Sequence, residues 1–413
     1  MPTITPFMAL RPDSTYASRV AALPYDVFTP EEARKEALKN PLSFINIDRP
    51  ETQFEPGINM YDDKVYKSGA RLLWSYKKDG IFIQDTVPCL YIYALTYHGR
   101  TQTGIVGCAS VSDYKNNVIK RHELTRKAKE DDRYRHIKTC MAQTGPVFLA
   151  YRHQDSIDAL IKKLTEEQPV YDFVQNNVRQ QVWVIDKPEY IQSLCDCLKK
   201  VPEAFIADGH HRAAAAVRVS EDLTQADNHI EPGVLSVFFP DNQLEIYPYA
   251  RTVKDLNGMT PEQFLNALSG DFILKKCDAL PKIQTHQTAL YLNGWFLLTE
   301  KNPYTGEDPV KKLDMAMVQE KIIEKQLDIT DIRNDTRIDF IGGVDCAKKL
   351  VFRCQNDMAA GFMTKAVTMD ELFSVAAKGA LMPPKSTWFE PKLLSGLLIH
   401  ALFADKIAPH IIE

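Results

Sequence analysis

The sequence has few of the features that mark zinc, disulfide or nucleic-acid-binding proteins. Its eight cysteines lie far apart except for Cys195 and Cys197, and that Cys-x-Cys spacing has no second pair to complete a zinc site. Reduced thiols are therefore expected. The formal net charge is −4, whereas proteins that contact nucleic-acid phosphates normally carry a basic excess. No nucleic-acid partner is expected.

Long hydrophobic runs and targeting segments are also missing. The longest apolar run, residues 393–402, is broken by Ser395, Gly396 and His400 and is too short to span a bilayer. Residues 1–6 contain neither a basic stretch nor a continuous apolar stretch, so no secretory signal is indicated. We therefore expect a cytoplasmic protein with no membrane partner, and the oligomeric state stays open.

Standard nucleotide-binding motifs are absent too. The chain has no Gly-x-x-x-x-Gly-Lys-Ser/Thr loop and no protein-kinase signature set. Any nucleotide site must therefore be built from a different segment.

What is present predicts a mixed α/β fold. Between residues 146 and 221, strand-like and helix-like segments alternate, which is typical of an α/β core with ligands at the carboxyl ends of its strands. Additional β-rich segments precede and follow this core, including a hairpin around His98, Gly99 and Arg100. We divide the 413 residues into three regions with soft limits: 1–150, 151–300 and 301–413.

The densest group of chemically active residues is Asp208-Gly209-His210-His211-Arg212, which follows the apolar residues 204–207. This order predicts a strand, a tight turn at Gly209 and the start of a helix. Helix N-termini attract phosphate, and the guanidinium of Arg212 can grip two phosphate oxygens. Asp208 adds a carboxylate suited to a hydroxyl or a magnesium ion. The alternative is a capped helix whose histidines are surface residues.

A second candidate segment is His122-Glu123, at the start of a charged helix that we predict to begin near Leu124. A glutamate beside a substrate hydroxyl can take its proton as the oxygen attacks a phosphate. For the many neighbouring charges in residues 120–133, a solvated helix face is the better interpretation.

The third candidate is Pro383-Pro384-Lys385-Ser386-Thr387. The two prolines fix the backbone, so that a cation and two hydroxyls are presented together at reduced entropic cost. The functional interpretation is that Lys385, Ser386 and Thr387 bind the carboxylate or phosphate of a small substrate. The alternative is a rigid entry to a C-terminal helix, which we predict from an apolar stripe of Leu393, Leu394, Leu397, Leu398 and Ala401.

Two further patterns favour simpler interpretations. Asp26, in Pro24-Tyr25-Asp26-Val27, could reach a substrate ammonium, but Pro-Tyr-Asp is also a common turn signal, and we favour the turn. His210 and His211 point about 100° apart on a helix, so they are poorly placed to share one metal. Magnesium held by nucleotide phosphates, with Asp208 as a possible ligand, fits phosphoryl transfer better than zinc.

Taken in chain order, these motifs resemble those of known proteins. Pro24-Tyr25-Asp26-Val27, Asn40-Pro41, the His-Glu segment, Asp-Gly-His-His-Arg and the Pro-Pro-Lys-Ser-Thr tail together resemble the domain-of-unknown-function 1015 family, from end to end. The three core motifs also resemble the free serine kinase of the ParB/sulfiredoxin-like superfamily. That resemblance implies a ParB/sulfiredoxin-like core, a catalytic Glu123 with His122 and Asp208, and a nucleotide site at Gly209, His210, His211 and Arg212.

Three hypotheses follow for the function. The first is a phosphotransferase that acts between ADP or ATP, with Mg²⁺, and free serine or phosphoserine. The second is a ParB-like nucleotide-binding regulator that is associated with DNA and has no small substrate; the acidic balance weighs against it. The third is a structural protein with vestigial motifs. The sequence determines neither the direction of the reaction nor the nucleotide.

Overall fold

The computed structural model describes residues 1–226 and 233–402. The chain forms two compact units: the first unit comprises residues 1–244 and 391–413, and the second unit comprises residues 245–390. Both units contain helices and sheets, so the predicted mixed α/β class is confirmed. The three regions that the sequence suggests, 1–150, 151–300 and 301–413, stay a prediction.

The first unit contains twelve strands and nine α-helices among the described residues up to 244. Its strands are β1 (Ile4–Thr5), β2 (Ala9–Pro12), β3 (Phe82–Gln84), β4 (Leu90–Tyr97), β5 (Arg100–Ala109), β6 (Ile119–Lys120), β7 (Ala142–Gln143), β8 (Val147–Tyr151), β9 (Tyr171–Gln175), β10 (Val178–Ile185), β11 (Ala204–Asp208) and β12 (Val234–Pro240). Its helices are α1 (Ala17–Val20), α2 (Pro30–Lys39), α3 (Ile45–Asp48), α4 (Asp63–Lys78), α5 (Val111–Lys115), α6 (Lys127–Cys140), α7 (Asp155–Leu164), α8 (Pro188–Leu198) and α9 (His210–Ala226). Short 3₁₀ turns lie at Tyr25–Val27, Pro50–Gln53 and Asp241–Gln243.

The main sheet of the first unit has the order β6-β11-β8-β12-β5-β4-β10-β9, with β1 added to β5. Most neighbours are antiparallel, but β6 runs parallel to β11 and β8 runs parallel to β12. The predicted hairpin joins β4 to β5, and both of its turn residues, His98 and Gly99, have positive φ. A two-residue turn of that kind matches the twist of the flanking strands.

Helices cover the end of this sheet where the predicted motifs lie. Helices α6 and α9 pack against each other and bring Ile137, Ala213 and Val217 into the same apolar core as β8 and β11. Helix α6 begins at Lys127, three residues later than predicted, and α9 begins at His210. The residues between β6 and α6 therefore form a loop, 121–126, rather than the first turn of a helix.

The second unit is built around an antiparallel sheet. Its strands are β13 (Ile246–Tyr247), β14 (Tyr249–Val253), β15 (Phe272–Cys277), β16 (Gln287–Tyr291), β17 (Trp295–Glu300), β18 (Ile338–Gly342), β19 (Ala360–Met363) and β20 (Trp388–Phe389). Its helices are α10 (Pro261–Leu268), α11 (Asp314–Val318), continued by a π turn at Gln319–Glu324, α12 (Cys346–Asn356) and α13 (Met369–Ala377). The sheet order is β15-β17-β16-β19-β14-β18, and β13 pairs separately with β20.

The predicted C-terminal helix is wrong. Residues 391–398 form no regular element, and β21 (Ile399–Ala401) is a strand that joins the first unit between β2 and β7, in the order β3-β2-β21-β7. Gly396 has a φ of +81°, and a side chain there would collide with Phe44. The leucines are buried on every side of this extended segment, so their spacing imitates the stripe of a helix.

Candidate active site

Two of the predicted segments meet at one edge of the main sheet. Strands β6 and β11 are parallel neighbours, with Ile119 opposite Ala204 and Lys120 opposite Phe205. Their carboxyl ends therefore lie side by side, and β6 leads into the 121–126 loop while β11 leads into the Asp208 turn. Glu123 and Asp208 are 85 residues apart in the chain (208 − 123), so the strand pairing, not sequence proximity, creates this site.

Direct contacts join the two segments. The rings of His122 and His210 pack edge to face with their centroids 4.5 Å apart. The backbone N–H of Arg126 donates a hydrogen bond of 2.9 Å to Nε2 of His211. Each histidine of the His-His pair thus contacts the 121–126 loop, and the two segments form one structural group.

The turn itself is shaped by Gly209 and Arg212. Gly209 has a φ of +93°, in the left-handed region, and a Cβ at this position would lie 3.0 Å from Nε of Arg212. The guanidinium folds back over the turn, donates from Nη2 to Asp208 Oδ2 at 2.8 Å and donates from Nη1 to the Pro146 carbonyl. Its Nε is buried and has no hydrogen-bond partner among the described residues. Any side chain larger than glycine at position 209 would push Arg212 away.

Asp208 holds a second cation, which the sequence did not single out. Nζ of Lys392 lies 3.3 Å from Oδ1 of Asp208. Burial of Asp208 opposes its ionisation, but Lys392 and Arg212 outweigh it and hold the pKa of the carboxyl below its ordinary value. Two cations thus flank one carboxylate beside the N-terminus of α9, and both helix N-termini and guanidinium groups are frequent partners of phosphate.

The two inner histidines are neutral near pH 7. His122 and His210 are buried, and the loss of solvation lowers the pKa of His122 to about 4 and that of His210 well below its ordinary value. Nε2 of His210 is buried without a hydrogen-bond partner among the described residues. These imidazoles therefore contribute packing and uncharged polar atoms rather than positive charge.

Glu123 lies in the middle of the 121–126 loop and is partly exposed. It directly follows the buried His122, whose ring packing fixes the backbone at that point. Thr125 donates to Glu130 Oε2 at 2.8 Å, which ties the loop to the first turn of α6. Glu123 is thus carried by a backbone that is anchored on both sides.

A small cavity that the sequence did not predict adjoins Arg212. Its volume is about 20 Å³, and its lining includes Tyr25, Asp48, Arg133, His136, Thr144 and Arg212. Tyr25 belongs to the Pro-Tyr-Asp-Val segment, whereas Asp26 is exposed and is not part of the lining. Asp48 and Thr144 carry no motif signal, because only the tertiary fold brings them to Arg212.

The loop of residues 383–387 belongs to the second unit. Lys385 has a φ of +58°, and its Nζ lies 5.8 Å from the centre of the Tyr249 ring. Ser386 is buried and donates to the carbonyl of Pro383 at 2.6 Å, and Thr387 is partly exposed. The participation of Lys385, Ser386 and Thr387 in a substrate site stays a prediction, whereas Lys392, five residues beyond Thr387, does reach Asp208.

Metal ligands are sparse at this site. In residues 1–226 and 233–402, no group of three His, Cys, Asp or Glu side chains is placed to hold a metal ion. Both carboxylate oxygens of Asp208 are occupied by Arg212 and Lys392. A role for Asp208 as a magnesium ligand stays a prediction.

The described helices include none that is long and apolar enough to cross a membrane.

This chain belongs to the family described as protein of unknown function DUF1015, whose model matches residues 4–316. A comparison with curated proteins found no match.

Similar solved structures include a mutant free serine kinase in complex with AMP, at 16% identity and a TM-score of 0.36, covering 66% of this chain and 84% of that one. A conserved hypothetical protein from Pyrococcus furiosus has 15% identity and a TM-score of 0.35, and the match covers 70% of this chain and 94% of that one. SbnI with a C-terminal truncation, from Staphylococcus aureus, has 12% identity and a TM-score of 0.37, with 72% and 87% covered. These identities and TM-scores are too low to indicate a function for this chain.

Proposed function

We propose that this protein is a phosphotransferase that moves a phosphoryl group between ADP or ATP and the hydroxyl of free serine, in either direction. The observation that carries the proposal is the meeting of the Glu123 loop with the cationic Asp208 turn at the end of one parallel strand pair. An acid–base residue and an anion site on neighbouring rigid elements are the two parts that phosphoryl transfer requires.

The phosphates of the nucleotide are assigned to the Asp208 turn. Arg212 supplies a planar fork and Lys392 a point charge, and both are held in place by Asp208. The N-terminal N–H groups of α9 add further donors. Magnesium, when bound, would be held by the nucleotide phosphates and would neutralise part of their charge.

Glu123 is assigned the proton transfer. In the forward direction its carboxylate takes the proton of the serine hydroxyl as that oxygen forms a bond to the terminal phosphorus of ATP, and the bond from phosphorus to the ADP oxygen breaks. In the reverse direction the protonated carboxyl returns the proton to the serine oxygen as it leaves phosphorus. His122 keeps its neighbour in position and is itself neutral.

The remaining parts of the proposal concern binding and location. Lys385, Ser386 and Thr387 are proposed to bind the carboxylate or phosphate of the amino-acid substrate, and the protein is proposed to act in the cytoplasm. The absence of a basic surplus supports a small-molecule substrate over DNA.

The test is a transfer assay in both directions. Pure protein is incubated with Mg²⁺ and either serine plus ATP or phosphoserine plus ADP, and the products are measured by phosphorus NMR. The proposal expects phosphoserine from the first mixture or ATP from the second. Folded protein that transfers nothing, also across a panel of small hydroxylated metabolites, contradicts it. Nucleotide binding without any transfer would favour a ParB-like regulator.

A further inference from the structure

The pocket beside Arg212 contains a carboxylate that the proposed reaction has not used. Asp48 is the last residue of α3 and is 3% exposed, and its Oδ1 accepts a hydrogen bond of 2.7 Å from Oγ1 of Thr144. Thr144 also lines the pocket. The carboxylate is therefore fixed in one orientation at the wall of the pocket.

The cations around Asp48 are committed to other partners. Arg133 makes two bonds to the carboxylate of Asp132, at 2.8 and 2.7 Å, and reaches only the main-chain oxygen of Asp48, at 3.4 Å. Arg212 is paired with Asp208. No lysine or arginine forms an ion pair with the Asp48 side chain within the described ranges 1–226 and 233–402.

His136 does not supply the missing charge. Its Nε2 lies 4.0 Å from Oδ1 of Asp48 and 2.9 Å from the Ile47 carbonyl, to which it donates. Burial and the neighbouring Arg133 lower the pKa of His136, so its ring is neutral near pH 7. The Asp48 carboxylate thus has one hydrogen-bond donor, Thr144, and no lysine or arginine ion pair in the described ranges, so its remaining acceptor sites can receive a hydrogen bond from a ligand.

We propose that Asp48 binds the ammonium group of an amino-acid substrate in this pocket, with Thr144 as a second hydrogen-bonding group. This inference rests on the proposed function, because it places the substrate next to the phosphate turn that Arg212 shares with the pocket. The substrate class is then an α-amino acid. We expect the protein to bind serine more tightly than the hydroxy acid that has the same skeleton but no amino group. Asp26, which the sequence analysis considered as a partner for a substrate ammonium, is exposed and does not line this pocket.

The test compares Asp48→Asn with Asp26→Asn, which removes a nearby exposed carboxylate as a matched control. Calorimetric titrations measure the affinity for serine and for 3-hydroxypropanoate, and a thermal-shift titration measures the response to ADP. The asparagine still accepts the bond from Thr144 but has lost its charge, so serine affinity should fall about ten- to a hundred-fold. The affinity for 3-hydroxypropanoate and the response to ADP should stay unchanged, and Asp26→Asn should match the parent protein.

The outcomes separate this inference from the proposed function. A parent protein that binds neither ADP nor serine and transfers no phosphate overturns the proposed function. If the parent protein binds ADP, and Asp48→Asn binds serine as tightly as the parent does, only the role of Asp48 is overturned. Should Asp48→Asn fail to fold, Thr144→Val takes its place. It is expected to weaken serine several-fold and to spare 3-hydroxypropanoate, and equal effects on both ligands would overturn the assignment.

Discussion

Two arginines, Arg212 in the first unit and Arg251 in the second, share two features but differ in charge balance. Both are buried, and both donate to a proline carbonyl, that of Pro146 for Arg212 and that of Pro384, at 3.0 Å, for Arg251. Arg212 is also paired with Asp208, whereas Arg251 has no carboxylate partner in the part of the chain that the structure describes.

The two arginines differ in how their charge is balanced. The Asp208 turn carries its own anion, so Arg212 is fixed in position before any ligand arrives. Arg251 lies on β14 under the 383–387 loop, and burial lowers its pKa to about 9, because the charged form loses its solvation. From this difference we predict that the Asp208 turn takes part in the chemistry and that the 383–387 loop over Arg251 attracts an anion. Variants in each region test that division.

The largest effect is expected in the 121–126 loop, which contacts the Asp208 turn. Glu123→Gln keeps the shape of the side chain but cannot accept a proton, so turnover should fall by about 100-fold or more while nucleotide affinity changes little. Steady-state rates and a nucleotide titration on the same preparation give both values. Near-normal turnover, or an equal loss of nucleotide affinity, would show that Glu123 has a structural role.

A smaller effect is expected at the 383–387 loop, and on a different ligand. Lys385→Ala removes one charge-assisted contact, so the affinity for serine and phosphoserine should fall about ten- to a hundred-fold with the nucleotide affinity unchanged. Lys378→Ala, an exposed lysine of the same unit, is the matched control. Unaltered affinity for both amino acids in Lys385→Ala would remove the loop from the site.

Acid should weaken the first unit through its buried histidines. The pKa of His122 is about 4 in the folded protein and 6.5 for an ordinary histidine, so the unfolded chain binds the extra proton as pH falls between these values. His122 by itself should then lower the free energy of unfolding by about 1 kcal/mol between pH 6.5 and 5.5, because the limiting slope for one proton is about 1.4 kcal/mol per pH unit. The other buried histidines with a lowered pKa, His136, His210 and His400, add to the slope of the parent protein, so His122→Asn should reduce this slope, but not abolish it, in urea titrations at pH 6.5 and 5.5. A parent protein with no slope would contradict the assignment.

The smallest effect is expected at Arg251. Arg251→Met replaces a buried, uncompensated charge with an apolar side chain of similar length, so the free energy of unfolding should fall by less than about 1 kcal/mol or rise. Arg212→Met should instead destabilise the protein, because Asp208 loses one of its two cations. Denaturant titrations of the two variants give the comparison directly. A larger loss for Arg251→Met than for Arg212→Met would reverse it.

The parts of the site that follow from local sequence could be predicted. The strand, the glycine turn and the helix start at Asp208 are encoded within about ten residues, and the Asp208–Arg212 pair has the four-residue spacing of neighbours on a helix. The hairpin at His98 and Gly99 is equally local. Such features need no knowledge of the rest of the chain.

The long-range parts could not be predicted. Nothing in the sequence shows that β6 pairs in parallel with β11, that Lys392 returns to Asp208, or that Asp48 reaches the pocket. The C-terminal leucines were misassigned for a related reason. A segment that is buried on all sides has no polar face, so its spacing could not distinguish a helix from an extended chain that adds a strand to a sheet.

The course of the chain also has a consequence for synthesis. Strand β21 fills the place between β2 and β7, yet it follows the whole second unit, residues 245–390, in the chain. A ribosome that adds about 5–20 residues per second needs roughly 7–30 s to make those 146 residues (390 − 245 + 1). During that interval β21 is missing, so the edges of β2 and β7 that it pairs with are exposed. Exposed strand edges can pair with strands of other chains. The nascent protein therefore passes through a period of aggregation risk that lasts until β21 has been made.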